Sequence, residues 1–147
     1  MLFRSYYNRG TVYYDKADQD RAITDFDAAL KLNPTYVAAL HDRGVAHYDK
    51  HDYDRAIADF DRSIALNPDS PIVWEDRGAT WLRKGDARKA VADFERALTM
   101  AADRPTALYG RGVARRAAGD RAGGDADVAE ALRRRPHVVD DFPVVPR

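Results

Sequence analysis

The sequence predicts an all-α chain built as a stack of about four antiparallel helix pairs, and three observations lead there. The first is a fixed step of 34 residues. Gly10, Gly44, Gly78 and Gly112 keep it, each preceded by an arginine, and so do Asp18, Asp52, Asp86 and Asp120. A period in this range marks a stacked repeat array. The second is that apolar residues inside each period recur at spacings of three and four, which places them on one helical face. The third is punctuation at constant offsets, a short polar break in the middle of each period and proline near its end. The resulting units are 3–36, 37–70, 71–104 and a degenerate fourth, 105–138, with residues 139–147 left as an extended, proline-containing tail.

In the first unit Tyr6, Gly10 and Tyr13 share one face of a first helix. Asp18 sits in the polar break as the N-cap of a second helix, where it can accept hydrogen bonds from unpaired amides. Ala22, Ile23, Phe26, Ala29 and Leu30 make that helix's apolar face, and Asn33-Pro34 ends it, because a residue before proline is pushed out of the helical region. Gly10 is expected to face Ala22, and Gly44 to face Ala56, where the paired helices approach closely. The second unit repeats this arrangement most cleanly. In the third, Ser70-Pro71 reads as an N-cap followed by proline at the first helical position, Trp74, Gly78 and Trp81 share the first helix, and Ala102 stands where Pro34 and Pro68 stand.

The fourth unit departs most. Arg115 replaces the aromatic residue, Gly124 the alanine, Asp125 the β-branched residue and Val128 the phenylalanine. Polar substitution fits a terminal repeat, one face of which has no neighbour. The run Gly119–Gly124 is expected to make its second helix start late or fray. Beyond it, VVDDFPVVPR combines Pro143 and Pro146 with Val139, Phe142, Val144 and Val145. An extended segment that apolar lies against something, either the flank of the last helix pair or a groove of this chain or a neighbour's.

Composition bounds the function classes. The chain has 147 residues with 24 Lys+Arg against 24 Asp+Glu, so no global field favours a polyanion or an anionic membrane. The absence of cysteine removes disulfides, thiolate metal sites and thiol catalysis. No apolar run approaches the ~18 residues needed to span a bilayer, and MLFRSYYNRG lacks the apolar core of a secretory signal. A cytoplasmic protein is expected, with a periplasmic place open if an export signal has been removed. The serines Ser5, Ser63 and Ser70 stand in no nucleophile motif, and no phosphate-cradling loop is present, so the reading is of a non-enzyme without cofactor. His47 and His51 are four apart, but one takes the aromatic position and the other falls in the turn, so no metal site is assigned. Arg111, Arg115, Arg116, Arg121 and Arg133–Arg135 concentrate positive charge, yet acidic residues interrupt it, and RNA binding stays a minor alternative.

These residues together resemble the tetratricopeptide repeat family. The 34-residue period carries the likeness, with the aromatic–glycine–aromatic helix (Trp74, Gly78, Trp81) and the Ala–Phe–Ala helix with closing proline (Ala22, Phe26, Ala29, Pro34). One departure is that arginine stands just before the glycine in all four copies, where the family usually has leucine. The resemblance implies a right-handed superhelix, first helices lining a concave groove, and a scaffold that grips a protein or peptide segment. It places Tyr7, Asn8, Tyr14, His41, Asp42, Tyr48, Glu75, Asp76 and Tyr109 on that groove. Family members that clamp the carboxylate of heat-shock chaperones use Lys, Asn and Arg where this chain has Tyr7, Thr11, Asp42, Ile72 and Asp76, so that clamp is absent. Asp42, Glu75 and Asp76 are expected to stand together among tyrosines, either as a site for a basic peptide through carboxylate and cation–π contacts or as a solvated inner face.

Arg9, Arg43, Arg77 and Arg111 with Asp25, Asp59, Asp93 and Asp127 form the most regular charged set. They read as a structural ion-pair ladder, the alternative being a repeated ligand contact. Self-association through the end faces or the tail is the second functional reading, and the chain can equally be a segment of a longer array.

Overall fold

A computed structural model describes residues 2–142 of the chain. Among the described residues there is no strand. Eight helices of 13 or 14 residues are followed by one helical turn: α1 (Leu2–Asp15), α2 (Gln19–Leu32), α3 (Val37–Asp49), α4 (Tyr53–Leu66), α5 (Pro71–Lys84), α6 (Ala87–Met100), α7 (Pro105–Ala117), α8 (Arg121–Arg134) and α9 (Val138–Asp141). Two compact units divide them, Met1–Pro68 with α1–α4 and Asp69–Arg147 with α5–α9. No described helix is long and apolar enough to cross a membrane.

Every second helix starts on the same device. Asp18, Asp52, Asp86 and Asp120 accept from the backbone amides of Arg21, Arg55, Lys89 and Gly123, respectively, at 2.9–3.3 Å. A carboxylate there satisfies an orphan amide and meets the positive end of the helix dipole. The cap corrects the expectation for α8. With Asp120 in place the helix begins at Arg121 despite its glycines, neither late nor frayed. Ser70, by contrast, makes no side-chain capping bond, and Pro71 alone marks the start of α5.

The residue before each capping aspartate is left-handed. Ala17 (φ 58°) and His51 (φ 63°) hold that place in the first unit, Gly85 (φ 87°) and Gly119 (φ 100°) in the second. The glycines adopt it freely, whereas a side chain there crowds the backbone.

The helix pairs close around fully buried Phe26, Phe60 and Phe94. The glycine of each first helix makes room for this ring rather than chiefly for the small residue expected opposite. A Cβ at Gly10 would lie 2.7 Å from Phe26 Cε1, and one at Gly44 2.7 Å from Phe60 Cε1, with the carbonyl of Ala22 a further 3.3 Å neighbour of Gly10. The fourth pair has Val128 instead of the ring, and its backbones close the gap. A Cβ at Gly112 would lie 2.8 Å from the carbonyl oxygen of Gly124, and one at Gly124 2.6 Å from that of Gly112. At the position of Ala29, Ala97 and Ala131 the second pair carries Ser63, whose buried hydroxyl has no hydrogen-bond partner.

The segment after α8 differs from the extended tail expected. Val138–Asp141 forms a helical turn, and Phe142 leaves it in extended conformation. Val138 is fully buried, because the turn packs against α7 and α8. Residues 143–147, the rest of the expected tail, lie outside the described residues.

Candidate functional site

The arginines and aspartates that recur every 34 residues pair within their own hairpins. Arg9–Asp25, Arg43–Asp59, Arg77–Asp93 and Arg111–Asp127 are each 16 apart, and each guanidinium forks its Nε and Nη2 onto both carboxylate oxygens at 2.6–2.8 Å. Two parallel charge-assisted bonds fix such a pair in one plane. All four aspartates are buried, whereas the Arg9 side chain is 59% exposed and the Arg43 side chain 18%. Two partners escaped the sequence reading. Arg43 also meets Asp27 at 2.6 Å, and Arg115, which replaced an aromatic residue, joins Asp127 at 2.9 Å and Glu95 at 3.1 Å.

The first-helix face of the first unit carries a different set. Tyr7 on α1 donates to Asp42 on α3 at 2.8 Å, and two turns on Tyr14 donates to Asp49 at 2.6 Å. Both links join residues 35 apart, one period plus one, and that spacing is the signal by which Asp49 was findable. Tyr7 packs against Phe26 and Tyr36, with ring centroids 5.9 and 5.0 Å away. Burial, then the bond to Asp42, holds its phenol well above the ordinary range, so it stays a donor. His41 Nδ1 lies 3.2 Å from the other oxygen of Asp42. Asn8 is exposed, and the half-buried Tyr48 stacks obliquely on Tyr53 at 5.6 Å.

In the second unit the corresponding face is occupied by the chain itself. Glu75 is buried and accepts from Thr106 at 2.5 Å and from Arg104. Burial pushes its carboxyl pKa up, against the pull of those two donors. Tyr109, expected on an open groove, is buried beneath Phe142, with ring centroids 5.4 Å apart. Asp76 is half-buried, and its carbonyl accepts from Thr80 at 2.7 Å. Of the acidic residues expected to stand together, Asp42 belongs to the first unit and Glu75 and Asp76 to the second.

The remaining candidates resolve locally. His47 is buried, and desolvation lowers its pKa, while His51 sits in the turn with Tyr53 Oη 3.1 Å from its Nδ1. Of the basic residues near the last hairpin, Arg116 meets Asp125, Arg133 and Arg134 meet Glu130, and Arg135 meets Asp141. With Arg111 and Arg115 also paired, this is a set of ion pairs rather than a bare cationic stripe.

Capped hairpins on a 34-residue period define an α-helical repeat protein, and comparison places it within that class. Family profiles described as tetratricopeptide repeat match residues 44–135 and residues 7–71, and the chain belongs to the tetratricopeptide repeat family. No curated protein matches the sequence. Among solved structures it is similar to MamA (TM-score 0.84, 21% identity, 98% of this chain and 79% of that one). It is similar also to MamA from residue 41 onward of Desulfovibrio magneticus RS-1 (TM-score 0.86, 17% identity, 91% and 76%). A third is the first tetratricopeptide module of Spaghetti (RPAP3) bound to an HSP90 peptide, SRMEEVD (TM-score 0.78, 20% identity, 80% and 93%). At these identities the likeness establishes the fold.

Proposed function

We propose that this chain is a non-enzymatic protein-interaction scaffold whose first unit receives an extended peptide or protein segment along the faces of α1 and α3. The observation that carries this reading is the pair of tyrosine–aspartate bonds, Tyr7–Asp42 and Tyr14–Asp49. They hold two carboxylates in fixed positions two helical turns apart, roughly 10.5 Å along the axis. A segment in polyproline II conformation returns a side chain to the same face every third residue, roughly 9 Å along its axis. A fixed surface also loses little conformational entropy on binding.

The RPAP3 module gives the precedent of a peptide bound to this fold. Its peptide is acidic. Here Tyr7, Thr11, Asp42, Ile72 and Asp76 stand where chaperone-clamping members of the family carry Lys, Asn and Arg, so the favoured ligand has basic residues, spaced three apart. A calorimetric titration with lysine- and arginine-containing peptides tests this. The double variant Asp42→Asn, Asp49→Asn is expected to lose about tenfold in affinity, near 1.4 kcal/mol, with its helicity intact. Undiminished binding by that variant sinks the reading.

A further inference from the structure

Position 110 breaks the repeat in a way that the structure accounts for. The equivalent places in the first three copies hold Asn8, Asp42 and Asp76, and the fourth holds Gly110. A Cβ there would lie 2.5 Å from the Phe94 ring and 2.7 Å from the Phe142 ring. A polar position has become a seat. Phe142 fills it with 6% of its surface exposed, edge-on to Tyr109 at an interplanar angle of 67° and 5.9 Å from Phe94. The preceding Asp141 is held by Arg135 at 2.7 Å. From the Phe142 ring a cavity of about 250 Å³ continues between Ile72, Ala79, Glu75 and Arg104.

We propose that this face of the second unit is a recognition site for an aromatic residue preceded by a carboxylate. Asp141-Phe142 is its resident occupant, and a partner segment of the same chemistry displaces it. The occupant is suited to exchange. It hangs on a helix of four residues, far below the length at which a helix holds itself. Such segments open locally at a small fraction of the global unfolding free energy. The seat, by contrast, is built on α5, α6 and α7, whose hairpins do not depend on that turn for their own capping. This inference stands apart from the reading of the first unit and survives its failure.

The test is competition for the seat by a labelled synthetic peptide, VVDDFPVVPR, against the full chain and its Phe142→Ala variant. The resident segment has an effective concentration in the millimolar range. The variant, with its seat emptied, is therefore expected to bind the peptide at least ~10-fold more tightly than the wild type, and a peptide with alanine for phenylalanine is expected not to bind. Equal binding by both chains overturns the proposal, as does no binding by a variant of wild-type helicity. Should Phe142→Ala lose helicity, the peptide must restore its melting temperature in trans. No restoration at roughly hundredfold excess overturns the proposal as well. A wild-type dimer that disappears in Phe142→Ala would replace partner displacement by exchange between copies.

Discussion

The first unit passes from helix to helix through Ala17 and His51 in a left-handed conformation, and the second makes the same turn with Gly85 and Gly119. The first fills both hairpins with phenylalanine, Phe26 and Phe60, and the second does so once, with Phe94, then closes the backbone onto itself at Gly112 and Gly124. The first leaves Tyr7, Asp42, Tyr14 and Asp49 on its first-helix face, whereas the second lays Phe142 over the matching surface. What the period conserves is the placement of helices, and several side-chain solutions satisfy it. Local strain in the first unit persists because capping and packing around each turn over-determine it.

The contrast in packing can be broken most strongly at the rings. Phe60→Ala is expected to cost about 3–5 kcal/mol, since a fully buried ring leaves a cavity that helices collapse into only partly. Val128→Ala, in the hairpin that has already closed, is expected to cost clearly less by urea denaturation. Next comes the ladder. Arg43→Ala strands buried Asp59 and is expected to cost about 3 kcal/mol, while Arg9→Ala, at the exposed end, lowers the melting temperature by much less.

The turns follow, at about 1–2 kcal/mol per residue. Ala17→Gly and His51→Gly are expected to raise the melting temperature, and Gly85→Ala and Gly119→Ala to lower it. Were all four to shift it the same way, the comparison of turns would fail. The smallest effect is that of pH. Desolvation holds His47 below its ordinary value of 6.5, so the folded chain binds fewer protons there than the unfolded one. Its contribution is whole above that value and is lost as pH falls below it toward the lowered pKa. The equivalent places in the second unit hold Trp81 and Arg115 instead of a histidine. His47→Gln is accordingly expected to flatten the fall in melting temperature between pH 7 and 5.

Much of the helical architecture was legible because each feature occurs four times. The capping aspartates and the arginine–aspartate spacing repeat in register, and repetition separates signal from accident. What repeats only by analogy was harder to read. The facing of glycine by the phenylalanine ring, rather than by alanine first, depends on rotamers that spacing does not specify. The glycine run of α8 looked like a weak start until Asp120 was seen to cap it. Tyr109 and Phe142 were least legible, since the segment after α8 has no internal copy to compare with, and its burial of Tyr109 is a tertiary event. The odd residue Gly110 was the available clue.

Each buried aspartate of the ladder takes its forked arginine from its own hairpin, and the links that reach a neighbouring hairpin, to Asp27 and Glu95, end on exposed carboxylates. As far as the ladder goes, each hairpin is therefore electrically self-contained. Duplicating or excising one 34-residue module leaves no ladder aspartate stranded, so a gene encoding such an array can lengthen or shorten without rebalancing the ladder. The same closure frees the remaining surface charges to diverge copy by copy, as the two faces described above have done.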